Sequence, residues 1–403
     1  MQGLHAFDPQ ARTVIDLEST VAKDHLLRRV DRELDLSFVR ELTAPCYSQT
    51  GRPSIDPEVF FRMSLVAYLY GINSERRLCE EVRYHLAYRW FCRLSLDDEV
   101  PDHSSFTRIR DRFGEKVFLE VFRRIVELCQ KKGLIQQDCR VMTDATLIAA
   151  DAALDSLVHN EPDEATRETE ALRGRTRALE RPPSRKISNQ SHTSRTDPDA
   201  TLAQKHGSPR QLKYKVHQTI DADSRVILDT QVTTGACHEN RTYLKQLQRV
   251  GDHYNVRIVE ATADRGYGAA ATIRALQQQG IVTYIPLWNR RSGKSKYFQK
   301  DLVYEKQEDR FRCTAGKYLT PNPSTTENHK RYVLSAQNCR DCPYASSCSA
   351  RIRPRSDQRF VVRSLDQDLF EQVQAKMRDP TFAEKLSERM WKSEGLFAEA
   401  KQN

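Results

Sequence analysis

The 403-residue chain carries 64 Lys and Arg against 55 Asp and Glu, a formal net charge of +9, and 30% of its residues are charged. The isoelectric point near 9.0 and mean hydropathy of −0.69 describe a very polar surface. That length predicts two or three domains. No apolar run is long enough to span a membrane, and the opening MQGLHAFDPQARTVIDLEST lacks the basic-then-apolar order of a signal peptide. A cytoplasmic protein is expected, and disulfides are not expected among its ten cysteines. Arginines cluster at 83–93, 108–112, 123–124, 290–291 and 351–355. Such clusters point to nucleic acid, with solvated basic patches as the alternative.

Residues 1–133 read as a helical domain. Asp56-Pro57 supplies a cap and a first-turn proline for EVFFRMSLVAYLY, which Gly71 ends. Ser74 opens ERRLCEEVRYHLAYRWF. PDHSSFTRIRDRF follows, with Asp102, Ser104 and Ser105 as possible caps; Gly114 breaks it, and EKVFLEVFRRIVELCQKK closes at Gly133. Several short helices suit a small bundle, with a helix-turn-helix among the options. Arg108 and Arg110, with Arg112, follow the Ser- and Thr-rich start of the third helix. They are candidates for DNA contact, against a solvated charged face.

A second region begins at about Asp138. CRVMTD reads as a strand, and 155–210 as a long polar insertion, partly helical over EATRETEALRGRTRALE. KYKVHQTIDADSRVILDTQVTTG reads as two strands turning at Asp221–Ser224. ENRTYLKQLQRV is a helix, VRIVEATA a strand, AAATIRALQQQ a helix and IVTYIP a strand. The predicted fold class is therefore mixed α+β and α/β, a helical domain followed by a mixed sheet with helices packed on it. Residues 288–360 read as a basic, loop-rich, cysteine-bearing insertion. Two helices then follow at roughly 366–378 and 381–401, with Thr381 and Glu384 as a capping box.

Three acidic residues stand out. Asp144 and Asp264 each close a short apolar run, as a carboxylate at the end of a buried strand does. Glu394 shares a stripe of the last helix with Leu386, Met390, Phe397 and Lys401, which predicts that it faces the sheet. A carboxylate on that face needs neutralising, by a metal or by a buried Arg or Lys. Two strand-end aspartates and a helical glutamate can hold a pair of hard divalent cations, and such a pair cleaves and rejoins phosphodiesters.

In the insertion, Cys339-x2-Cys342-x5-Cys348 follows Cys313. The close pair suits half of a tetrahedral zinc site that Cys313 and Cys348 complete, with free thiols as the alternative. Arg351, Arg353 and Arg355 beside it are candidates for a DNA clamp. The six scattered cysteines, 46, 79, 92, 129, 139 and 237, are expected to be small buried hydrophobes. His238 is expected to be structural rather than a base.

Together these segments resemble the DDE transposases of bacterial insertion sequences. SIDPEVFFRMSLVAYLYGINSERRLCEEV (54–82), YRWFCRL (88–94) and PDHSSFTRIR (101–110) are similar to that family's N-terminal domain. The Asp144 segment, TDPDATLAQKHG (196–207), YKVHQTID (214–221), VTTGACHEN (232–240), ADRGYG (263–268) and SEGLFAEAK (393–401) resemble its catalytic domain. The resemblance implies a ribonuclease H-like catalytic domain over 138–287 and 361–403, interrupted by the cysteine-bearing insertion at 288–360. It implies Asp144, Asp264 and Glu394 as the catalytic triad holding two Mg²⁺ or Mn²⁺ ions. Lys401 falls at the family's phosphate-contacting lysine, and Arg265 and Tyr267 either line the DNA path or pack and cap their turn.

The expected partners are the element's inverted repeats and target DNA, met by a homodimeric synaptic complex at the bacterial nucleoid. Two departures are expected to bear on activity. The family continues beyond the position of Asn403, so the chain reads as truncated. The arginine expected close before the glutamate is not at the usual spacing, with Arg389 and Lys392 nearest. A DNA-binding relic or regulator, or a two-metal nuclease without strand transfer, are the rival expectations.

Overall fold

The computed structural model describes residues 8–48, 50–51, 54–160, 187–205, 207–287, 301–323, 329–339, 341–352 and 358–402. Two compact units divide the chain, Met1–Leu134 with Gly395–Asn403, and Ile135–Glu394. No helix among the described residues is long and apolar enough to cross a membrane.

The first unit is helical. Asp56 caps the helix Pro57–Leu69 by accepting from the Glu58 amide at 2.9 Å, and proline fills the first turn, where no amide bond is lost. Ser74 caps Glu75–Tyr84, and Asp102 caps His103–Lys131. Within that last helix Gly114 stands at φ 61, ψ 177, so it is two helices meeting at a break. A residue with a Cβ is strained at that φ. Phe60, Phe61, Phe106 and Phe113 pack ring to ring in the core. Arg62, 3% exposed, crosses this core and is bonded to Glu58 at 2.7 Å, Asp31 at 2.7 Å and the Phe91 carbonyl at 3.0 Å.

The second unit is built on β1 (Asp138–Ala149), with β2 (Leu157–His159) and β3 (His192–Ser194) as a small separate ribbon. The main sheet adds β4 (Thr201–Ala203), β5 (Gln211–Asp221), β6 (Ile227–Thr234), β7 (Arg257–Ala263) and β8 (Val282–Tyr284). β6 pairs with β5 and β5 with β1, both antiparallel, whereas β1–β7 and β7–β8 are parallel. The path β6-β5-β1-β7-β8 with those senses is the ribonuclease H-like arrangement. The β5–β6 turn is tied by Asp221, whose Oδ2 accepts from the amides of Asp223 and Ser224 at 3.1 and 2.7 Å. The helix Tyr243–Tyr254 buries Tyr243, Gln246, Leu247, Val250 and Tyr254, one face at helical spacing, and packs on β6 and β7.

Several expectations need correcting. β1 does not end at Asp144: pairing with β5 carries it five residues further, to Ala149 opposite Lys213. Only its parallel pairing with β7 stops there, at Thr143 opposite Ala263. The stretch read as loop-rich holds a six-stranded antiparallel sheet instead. It comprises β9 (Leu302–Glu305), β10 (Arg310–Cys313), β11 (Tyr318–Pro321), β12 (His329–Ser335), β13 (Arg351–Ile352) and β14 (Gln358–Ser364). Its strands are short and rich in Arg and Lys, which hides their alternation. They still bury Leu302, Phe311, Leu319, Tyr332, Ala350 and Val361 as one core.

The final helix, Pro380–Gln402, is not started by a Thr381–Glu384 box. Asp379 accepts from the Thr381 amide at 2.9 Å, and Pro380 takes the first position. Of the six scattered cysteines, Cys46, Cys129 and Cys237 are only half-buried. The stretch 161–186 of the polar insertion, with its expected helix, lies outside the described residues, as do Arg290, Arg291, Arg353, Arg355 and the side chains of Arg351 and Lys401.

Candidate active site

The parallel register of β1 and β7 ends with Thr143 opposite Ala263, so the next residues, Asp144 and Asp264, leave neighbouring strands side by side. Asp264 caps the turn Arg265–Tyr267, its Oδ1 accepting from the Gly266 amide at 2.8 Å. Asp144 is nearly buried, with its side chain 13% exposed. It accepts from the Ala145 amide at 2.8 Å, and its Oδ2 lies 2.7 Å from Nη1 of Arg389 on the final helix. Burial pushes the Asp144 carboxyl up to about 6. The Arg389 charge pulls it down, and the negative charge of Asp264 pushes it up again.

The final helix presents a face that sequence patterning had not selected. Phe382, Lys385, Arg389 and Lys392 run along it at spacings of three and four. Lys385 pairs with Glu260 of β7 at 2.7 Å, and Lys392 binds Glu388 at 2.5 Å and the Ala222 carbonyl. The predicted inward stripe holds only in part, with Phe397 buried and Leu386 half-buried. Met390 is 53% exposed and Glu394 is exposed. By the 3.6-residue period, Glu394 lies across the helix from Lys392. The basic residues win the inner face because acidic partners on β1 and β7 neutralise them there.

Tyr267 is also corrected as a DNA contact. It is fully buried, with its ring 4.7 Å from that of Tyr243. Arg265 is exposed at the same turn. His238 caps the turn Glu239–Arg241, bonded through Nδ1 to Asn240 at 2.8 Å, which is a structural role.

Hard carboxylate oxygens at two adjacent strand positions are the right donors for Mg²⁺, which needs only one or two carboxylates when substrate phosphates complete its shell. Mutual repulsion between Asp144 and Asp264 is what a cation would relieve, so the two aspartates fit the group. Glu394 is exposed on the final helix, and no three His, Cys, Asp or Glu side chains among the described residues gather into a ready-made ion site.

The sequence family described as a transposase DDE domain matches residues 190–403, more than half of the chain. The chain belongs to the DDE transposase family. Its segment 15–112 matches a second transposase domain, DUF772. The DDE match begins beyond β1, so Asp144 lies outside it, whereas Asp264 and Glu394 lie within it.

No curated protein matches the chain in sequence. Among solved structures it is similar to a piggyBac transposase synaptic complex with hairpin DNA, at 11% identity and TM-score 0.28, over 83% of this chain and 58% of that one. It is also similar to a Mos1 mariner paired-end complex with Mn, at 13% identity and TM-score 0.18, over 59% of this chain and 61% of that one. The chain thus spans about three-fifths of the length of these transposases.

Elsewhere, Cys313, Cys339, Cys342 and Cys348 all line one cavity of about 40 Å³ in the second sheet. Cys313 ends β10, and its sulfur accepts from the Lys317 amide at 3.3 Å across a turn in which Gly316 stands at φ 74. Burial raises the Cys339 thiol. In the helical unit Phe106, Ile109 and Phe113 face the core, while Arg108 and Arg110 are exposed. Arg110 is paired with Glu75. Arg112 lies over the Tyr47 ring at 4.8 Å and bonds Ser54 at 3.1 Å.

Sequence patterning passed over two kinds of functional candidate. Arg389 was legible only as the nearest basic residue to a misplaced family position. Glu239 was legible only as part of a resembling motif, because its partners lie on other elements.

Proposed function

We propose that the chain is a metal-dependent DNA transposase that cleaves its element's ends and joins them to target DNA. The observation that carries this reading is the pair Asp144 and Asp264 at adjoining positions of a ribonuclease H-like sheet, in a chain of the DDE family. Two divalent ions, Mg²⁺ or Mn²⁺, would be held by Asp144 and Asp264, with Glu394 as the third ligand. When bound, such ions activate an attacking oxygen and stabilise the leaving one.

The chain's own contribution is positional. The strand register holds the two carboxylates together. Arg389 keeps Asp144 in place and balances its charge until an ion arrives. Exposed Arg108, Arg110 and Arg265 are proposed to meet DNA phosphates together with Lys401, and a homodimer to hold two ends at the nucleoid. The domains proposed are 1–133 for DNA binding, 138–287 with 361–403 for catalysis, and 288–360 as a folding module. In that module the four cysteines around one cavity suit structural zinc, a closed site with no catalytic role.

A second reading has its own support. Glu394 is exposed on the final helix, which favours a DNA-binding relic or regulator. One experiment separates the readings. Purified protein is incubated with Mg²⁺ or Mn²⁺ and DNA bearing the element's inverted repeats. Joined products that vanish in Asp144→Asn establish the transposase. Cleavage without joining points to a nuclease. Binding without chemistry, in the parent and in Asp144→Asn alike, establishes the relic.

A further inference from the structure

Gly266 follows Asp264 by two residues, and the space where its side chain would be is already filled. A Cβ there would lie 1.8 Å from Oε2 of Glu239 and 3.0 Å from Oδ1 of Asp264. The two carboxylates therefore approach each other over the bare backbone of one glycine. Glu239 comes from the turn before the helix Tyr243–Tyr254, far from Asp264 in sequence. Its other oxygen, Oε1, is held by Lys215 of β5 at 3.2 Å, and the same ammonium donates to the Cys237 carbonyl at 2.8 Å. Glu239 thus has one oxygen anchored and one turned toward Asp264.

A second observation comes from Tyr267. Its hydroxyl is buried and has no hydrogen-bond partner among the described residues. It lies in the negative field of Glu239, then of Asp144 and Asp264. A buried hydroxyl without a partner is costly, and it marks a place where a missing group would bond.

We infer that Glu239 is a further metal-ligating carboxylate, presenting Oε2 to the ion that Asp264 binds while Lys215 fixes its orientation. This rests on the metal-dependent reading above. It adds an oxygen from the turn before the helix Tyr243–Tyr254 to those of the proposed triad. Gly266 is then required because any side chain would occupy the gap between the two carboxylates.

The test is Mn²⁺ binding by the full chain without DNA, read by electron paramagnetic resonance as loss of the free-ion signal. Glu239→Gln keeps the shape and removes the charge. It is expected to weaken Mn²⁺ about tenfold or more, with the metal-free melting temperature unchanged. Lys215→Met frees Oε1 of its competing ammonium and is expected to tighten Mn²⁺ severalfold, where a merely structural salt bridge predicts no change.

If Glu239→Gln binds like the parent while Asp264→Asn loses the ion, the inference is overturned and the metal reading stands. If the parent itself takes up no Mn²⁺, both fall. Should Glu239→Gln lose its fold, the Lys215→Met arm decides: unchanged affinity overturns the inference, tighter binding supports it.

Discussion

The two units treat buried charge in opposite ways. In the helical unit, Arg62 is buried and its Nε and Nη1 find three oxygens, on Glu58, Asp31 and the Phe91 carbonyl. In the sheet unit, Arg389 is nearly as buried, yet its Nε and Nη1 make no well-formed hydrogen bond, although Nη1 lies close to Asp144. In the same unit, the hydroxyl of Tyr267 and Nδ1 of His217 are likewise buried with no hydrogen-bond partner among the described residues. A satisfied network rigidifies a fold, whereas an unsatisfied one is held for something that arrives later. The first is architecture, and the second has the character of a binding site.

The largest effect expected from this contrast is on Arg62. Arg62→Met should cost up to about 3–5 kcal/mol, because it removes the buried partner that Glu58 and Asp31 share and leaves them only Arg40 and Arg93. Denaturant unfolding of the chain measures it, and a loss below 1 kcal/mol would erase the distinction between the units.

Arg389→Met should cost less, about 1–3 kcal/mol, because Asp144 can escape its loneliness by taking up a proton. That cost should therefore be small at pH 5 and larger at pH 8. A cost independent of pH would show that Arg389 is a structural strut like Arg62.

The pH dependence of the parent follows from the same carboxyl. Asp144 holds its proton up to about pH 6 in the fold, against an ordinary aspartate value of 3.8. The folded state thus binds a proton that the unfolded chain has lost, and Asp144 makes stability fall as pH rises between those values. Asp144→Asn should remove this slope. Mn²⁺ binding should in turn weaken below about pH 6, where the ion competes with that proton.

The smallest effect should be that of Tyr267→Phe. Deleting a buried hydroxyl with no partner should leave stability within about 1 kcal/mol, or raise it. DNA cleavage should drop if the hydroxyl serves the loaded site. A large loss of stability would mean that the hydroxyl has a partner after all.

Much of the fold was legible because the relevant signals are local. Asp56-Pro57, Ser74 and Asp102 announce helix starts through caps that need only adjacent residues. Asp221 to Ser224 announces a turn through bonds two and three residues away. The short apolar runs before them placed Asp144 on a strand and Asp264 just past the end of one. The insertion sheet was not legible, since its charged strands are stabilised by pairing with one another rather than by any one strand's pattern.

The sequence by itself determined which residues are acidic, where the strands and caps fall, and that the chain carries the motifs of a DDE transposase. Only the tertiary structure decided how the last helix is turned. Leu386–Met390–Glu394–Phe397 and Phe382–Lys385–Arg389–Lys392 have the same helical period, and counting apolar residues prefers the first. In the second, Lys385 and Arg389 turn inward because Glu260 and Asp144, on strands far away in sequence, neutralise them. A charge is admitted to an interior only by its partner, and for this helix the partners exist only once the sheet has formed.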